Sequence, residues 1–265
     1  MTHGPTPWLL GRVEPDTEGE RLFCFPHAGS GASAFRLWPS RLPTSVQCCP
    51  VQLPGRENRV ADRLPDTMDE LAERTVEALL PMLRPPYVLF GHSFGGLLAY
   101  AVARHLHERG HPLPRALLIS GARPPHVAAE ESYHTLPYDG LLSHVRATNG
   151  IAEPLLKHEE FVRRLLDVLR NDLRIAAEYR PAASEPLRCP IRVFAADDDP
   201  VVPPSLMDGW RAYAGGEFDV RRGPGDHYAV YDVSGGLFAE IARHGLADRR
   251  ACVTGARNIS PRRQQ

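Results

Sequence analysis

Lysine is almost missing from this chain: Lys157 is the only one, and every other strong base is an arginine. Arginine, alanine, proline and glycine are all abundant, so the imbalance reads as a coding bias and not as an arginine surface built for a ligand. Net charge is also lacking. At −1 over 265 residues, no global field draws in nucleic acid, a membrane surface or a polyanion, and recognition by charge has to be local. No run of about 18 apolar residues occurs, so no membrane-spanning helix is expected. The first eleven residues lack a basic segment followed by an apolar core. No secretory leader is therefore expected, and the cytoplasm is the expected location. Cysteine is sparse and odd in number: Cys24, Cys48, Cys49, Cys189 and Cys252 match neither a CxxC nor a zinc spacing. They are expected to be buried, reduced thiols, with no metal site and no cofactor. Cys48 and Cys49 are neighbours in an expected strand, so they should face opposite sides of a sheet.

What is present fits one domain. Hydrophobic residues make up 43% of the chain, and neither an internal repeat nor a long linker interrupts it. The domain is expected to span 1–248, followed by a disordered basic tail, 249–265, carrying Arg249, Arg250, Arg262 and Arg263. Monomer is the default expectation. Short apolar runs at 21–25, 46–51, 87–91, 116–120, 191–196 and 218–222 alternate with helix-period stretches at 68–83, 94–109 and 235–244. Alternation of that kind predicts βα units and a mainly parallel sheet with helices on both faces, an α/β fold. Residues 124–186 are too many for a simple connection and hold two helical patterns, 138–148 and 159–179. The second has Phe161, Leu165, Leu166, Leu169, Leu173 and Ile175 on one broad apolar side. Helices inserted at the carboxyl edge of a sheet are expected to form a lid over a crevice.

The strongest chemical signal is Gly91-His92-Ser93-Phe94-Gly95-Gly96. It is a G-x-S-x-G sequence with an apolar strand before it and a helical pattern after it. A sharp strand-to-helix turn needs small residues around it, and it presents the serine hydroxyl at the top of the sheet. Ser93 is the candidate nucleophile. A serine needs a base to take its proton. Of twelve histidines, His227 alone lies in a glycine-flanked loop, Gly225-Asp226-His227-Tyr228, after the last expected strand. An acid to orient that base should follow the penultimate strand, where Asp197-Asp198-Asp199-Pro200 stands. Asp199 is chosen, leaving Asp197 and Asp198 as turn or capping residues. The order Ser, Asp, His is that of α/β-hydrolases. Three adjacent aspartates also suit magnesium, but no second carboxylate cluster or phosphate loop accompanies them. Two backbone N–H groups are needed for a developing oxyanion. Phe94 is one candidate donor, and Ala28, in the small-residue loop Phe25-Pro-His-Ala-Gly-Ser-Gly31, is the other. That loop lacks the Gly-Lys-Ser/Thr ending of a phosphate cradle.

Taken together, Phe-Pro-His-Ala-Gly-Ser-Gly-Ala-Ser-Ala-Phe, Val-Gln-Leu-Pro-Gly-Arg-Glu-Asn-Arg (51–59), Leu-Phe-Gly-His-Ser-Phe-Gly-Gly, Asp-Asp-Pro and Gly-Asp-His-Tyr resemble the type II thioesterases of polyketide and non-ribosomal peptide pathways. The resemblance extends from about Arg21 to His244, and the Pro-Gly-Arg-Glu segment makes it more specific than a general α/β-hydrolase match. Ser30 stands where a second glycine is common, which leaves a backbone donor role intact. The resemblance implies a stand-alone editing hydrolase that clears short acyl groups from the phosphopantetheine thiol of acyl or peptidyl carrier proteins. It also implies weak contact between those acidic partners and arginines near the lid, such as Arg123, Arg146, Arg163, Arg164, Arg170 and Arg174. Spacing alone supports only a serine acyl hydrolase. A lipase, carboxylesterase or peptidase, a product-releasing thioesterase, and a carrier-binding protein with a vestigial site are the alternatives. The complete Ser93, Asp199, His227 set argues against the last, and the chain's own short leader after Met1 against a megasynthase terminus.

Overall fold

A computed structural model describes residues 6–11, 19–128, 133–147, 158–183 and 185–246. The expected tail, 249–265, the last residue of the expected helix 138–148 and the stretch 149–157 after it lie outside the described residues, as does Cys252.

Among the described residues, six strands form one sheet: β1 (Glu20–Phe25), β2 (Val46–Pro50), β3 (Tyr87–His92), β4 (Ala116–Ser120), β5 (Ile191–Ala196) and β6 (Phe218–Gly223). Their order is β2-β1-β3-β4-β5-β6, and every pairing is parallel. A parallel sheet covered on both faces is built from continuous apolar runs. The strands sort their side chains accordingly. Phe23, Leu89, Leu117 and Val193 join one core with α1 (Met68–Leu79) and α2 (Phe94–Glu108). Their neighbours Leu22, Val88, Leu118 and Phe194 join another with Phe35, Trp38 and α5 (Gly236–Glu240). Cys49 belongs to the first core and Cys48 packs against the second, so the pair does face opposite sides.

The helix ends differ from the sequence reading. The expected helix 68–83 stops at Leu79 and tightens into a 3₁₀ turn, Leu80–Met82, because Pro81 has no N–H to continue the ladder. The expected helix 235–244 is α-helical only through Glu240 and widens into a π turn, Ile241–Gly245. Between β4 and β5 lie α3 (Tyr138–Ala147) and α4 (Glu159–Glu178). The buried residues of α4 are Val162, Leu166, Val168, Leu169, Asp172 and Ile175, while Phe161, read as inward-facing, is 42% exposed. A broad apolar arc on the helical wheel hides which edge faces in. Here the seam turns away from Phe161 and takes in a carboxylate. Leu141, Val145, Val162, Leu166 and Leu169 make a small core of their own, packed against Ala28 beyond β1.

The chain passes from β1 outward to β2, then returns to the other side of β1 as β3. That reversal opens a crevice at the carboxyl ends of β1 and β3, the usual place for a ligand in an open α/β sheet. Ala28 follows β1 and Ser93 follows β3, so both candidate groups flank it.

Candidate active site

The turn after β3 is strained. Ser93 has φ 55° and ψ −120°, a left-handed value that a residue with a Cβ seldom adopts and that costs on the order of 1–3 kcal/mol. Its surroundings are shaped to hold it. A Cβ on Gly91 would overlap the Gly95 carbonyl, and one on Gly95 would overlap the carbonyls of Phe25 and Pro26. The Ser93 N–H donates to the Ser120 carbonyl at 2.8 Å, and the Ser93 carbonyl accepts from Gly96 at 2.9 Å. The side chain makes no cap bond to α2. Its hydroxyl is therefore not spent on the helix, while the Phe94 N–H, first in that helix, has no intrahelical acceptor by position.

The three adjacent aspartates separate cleanly. Asp197 is exposed and accepts from Arg222 Nε at 2.9 Å; Asp198 is exposed too. Asp199 is buried and lies 2.7 Å, Oδ2 to Nδ1, from the buried ring of His227. Its other oxygen, Oδ1, accepts the N–H groups of Val201 at 2.8 Å and Val202 at 2.9 Å. An ionised carboxylate in this position accepts from Nδ1–H, and in that neutral tautomer Nε2 keeps its lone pair. The loop bearing His227 is fixed to the loop bearing Asp199, because Asp197 and Asp198 donate their N–H groups to the carbonyls of Gly223 and Gly225.

Two further histidines crowd His227, and sequence reasoning gave them no part. The His92 ring lies 4.8 Å from that of His227, and the His27 ring 6.2 Å from that of His92. A Cβ on Gly121, which follows β4 with φ 53°, would come within 2.9 Å of the His92 ring and 3.3 Å of the His227 ring. His27 bonds the Tyr231 hydroxyl at 2.7 Å. Loss of solvent pushes its pKa down to about 3, with His227 and Arg56 adding to the effect. His92 is pushed well below the ordinary histidine range by burial first, then by His227 and His27. Both rings are thus neutral near pH 7. The His227 ring has aromatic neighbours in His92 and Tyr228 and a carboxylate partner in Asp199.

The loop after β1 forms a turn. The Ser30 N–H donates to the His27 carbonyl at 3.1 Å, and Gly29 has φ 75°, as position three of a type II turn requires. Ala28 is the second residue of that turn. Arg56 and Asp172, neither singled out as functional in the sequence, lie buried against it as a two-bond ion pair of 2.7 and 3.0 Å. Among the described residues, no group of three or more His, Cys, Asp or Glu is arranged to hold a metal ion, and no helix is long and apolar enough to cross a membrane.

Comparison with known proteins adds a family. The profile described as a thioesterase domain matches residues 20–245. The thioesterase PikA5 of Streptomyces venezuelae is 35% identical over 255 residues, 96% of this chain and 90% of that one. RedJ, a thioesterase from the prodiginine biosynthetic pathway in Streptomyces coelicolor, superposes with a TM-score of 0.80 at 39% identity, covering 92% of this chain and 94% of that chain. BorB, the type II thioesterase from the borrelidin biosynthetic cluster, gives a TM-score of 0.80 at 31% identity, covering 92% and 99%.

Proposed function

Because the chain belongs to the thioesterase domain family and has type II thioesterases of polyketide and non-ribosomal peptide pathways as close homologues, we propose that it hydrolyses acyl thioesters through an acyl-Ser93 intermediate. The observation that carries this reading is the buried 2.7 Å bond from His227 Nδ1 to Asp199, together with a serine held at φ 55° on the turn after β3.

In this reading Ser93 Oγ attacks the thioester carbonyl carbon and gives its proton to His227 Nε2. The carbonyl oxygen takes the negative charge and is met by the N–H groups of Ala28 and Phe94. Asp199 stabilises the imidazolium without itself taking a proton. Collapse breaks the C–S bond, and the leaving thiolate is protonated by His227. Water then attacks the Ser93 ester with His227 again as base, releasing the acid and restoring the serine. The neutral His27 and His92 fit this role, since a second cation beside His227 would oppose formation of its imidazolium.

The physiological substrate we infer is a short acyl group on the phosphopantetheine arm of a carrier protein, removed when it stalls assembly. Support comes from the pathways named for the relatives and from the surface above α3 and α4. Of the six arginines expected to meet an acidic partner, Arg146, Arg163 and Arg164 are exposed on these helices. Arg164 also pairs with Glu160 at 2.8 Å, and the other three are engaged too. Arg123 bonds the Val127 carbonyl and is held below the ordinary arginine range by burial, Arg170 bonds the Leu136 carbonyl, and Arg174 pairs with Glu178. The inserted helices act as a lid in this reading. A direct test is hydrolysis of a propionyl–carrier protein by the wild type and by Ser93→Ala. Turnover by the first alone supports the proposal, and turnover by both overturns it.

A further inference from the structure

The buried pair Arg56–Asp172 grips the turn that carries Ala28 from the side of the inserted helices. Asp172 Oδ2 accepts the Gly29 N–H at 2.8 Å, and Arg56 Nη1 donates to the Ser30 carbonyl at 3.1 Å. The turn's own bond, Ser30 N–H to His27 carbonyl, fixes the peptide plane between His27 and Ala28. The Ala28 N–H belongs to that plane and points opposite the carbonyl. The Ala28–Gly29 and Ser30–Gly31 peptide planes are therefore held by one ion pair. Asp172 has no solvent exposure. The same atom, Oδ2, receives both the Gly29 N–H and Arg56 Nη1.

Asp172 sits on α4 three residues after Leu169, hence on the same helix face. A Cβ on Gly29 would come within 3.1 Å of the Leu169 side chain. Ala28 packs against the small core of α3 and α4 as well as the main core. Arg56 is anchored independently of α4. Its Nε donates to the Pro54 carbonyl, and its own carbonyl accepts from the buried Gln52, whose Oε1 takes the Ala32 N–H at the far side of the turn. One partner of the pair thus belongs to the loop after β2 and the other to the inserted helices.

We infer that Arg56 and Asp172 are positioning residues through which the seating of α4 sets the orientation of the Ala28 N–H, so that the oxyanion site is complete only when the helix is docked. The inference rests on the role proposed for Ala28. A buried ion pair is weak evidence for stability in itself. Its contacts with the peptide group that follows Ala28 and the one that follows Ser30 are what a positioning role requires.

The test compares wild type, Asp172→Asn and Arg56→Lys on propionyl-N-acetylcysteamine, a small thioester with no protein carrier. Rates are expressed per active site, counted by complete fluorophosphonate labelling of Ser93. Asp172→Asn is expected to lower kcat about 10- to 100-fold, the range of a misaligned oxyanion donor, with KM within about threefold and the midpoint of the pH–rate profile unmoved. Arg56→Lys keeps the charge but loses the two-pronged geometry, and is expected to lower kcat as well. A purely structural role would reduce the number of labelled sites and the melting temperature but leave kcat per site within threefold, which would overturn the inference. Where Asp172→Asn yields no folded protein, the neutral pair Arg56→Gln with Asp172→Asn is measured in its place, with the same two outcomes. Failure of the wild type to label at Ser93 would instead sink the mechanism on which the inference rests.

Discussion

His227 and Asp199, 28 residues apart in sequence, share a buried hydrogen bond of 2.7 Å from Nδ1 to Oδ2, while Asp199 Oδ1 is tied by two backbone amides. Such an aspartate cannot swing away to find another partner. Asp199→Asn would present an amide, whose N–H₂ cannot accept the His227 proton, and the ring would be left in the wrong tautomer. Thioesterase activity is expected to fall by about 10²- to 10⁴-fold. Asp197→Asn and Asp198→Asn, at exposed carboxylates, are expected to stay within about threefold. Steady-state kinetics on the three variants checks this, and Asp198→Asn as the most damaging would move the acid by one position.

The neutral histidine beside the site makes stability depend on pH. The His27 pKa is about 3 in the folded protein, against an ordinary value of 6.5. Between those values the unfolded chain binds a proton that the folded protein does not. The stabilising contribution is therefore whole above pH 6.5 and is lost as pH falls toward 3. Urea unfolding at pH 7 and 4.5 should show the wild type losing up to about 2 kcal/mol more than His27→Gln over that interval. Equal losses would mean that His27 takes up its proton without unfolding.

Much of this architecture is legible from residues alone, for physical reasons that can be named. Runs such as Tyr87–Phe90 and Ala116–Ile119 are apolar throughout because both faces of the sheet are covered. Ser93 is legible because its strained turn demands Gly91 and Gly95 around it. Asp199 stands out among its neighbours only through its place relative to Val202 and Pro200. The Arg56–Asp172 pair is invisible because its partners lie 116 positions apart. On the helical wheel, Asp172 reads as one of many polar residues. The same distance hides His92 and His27: a histidine beside a motif carries no sign that three rings will meet.

Substrate choice separates the carrier-protein reading from a general acyl thioesterase. Propionyl–carrier protein and propionyl–coenzyme A share the phosphopantetheine arm, so a preference for the first must come from protein contact. The exposed Arg146, Arg163 and Arg164 are expected to give the carrier-bound substrate the higher kcat/KM at low salt. That advantage should shrink at high salt, since each exposed charge pair adds only about 0.2–1 kcal/mol. Reversing all three to glutamate is expected to remove most of the advantage while leaving hydrolysis of propionyl–coenzyme A unchanged. Equal kcat/KM for the two substrates at both salt concentrations would remove the carrier protein as partner.

The central claim is that Ser93 carries the acyl group between the two chemical steps. Rapid acid quench of the protein mixed with excess propionyl–carrier protein, followed by mass analysis of its peptides, tests that directly. The account predicts one propionyl group on the peptide holding Ser93 within the first turnovers. It also predicts none in Ser93→Ala, and a greatly reduced amount in His227→Ala. Hydrolysis at more than about a tenth of the wild-type rate by Ser93→Ala, or an acyl group trapped on any residue other than Ser93, would contradict it.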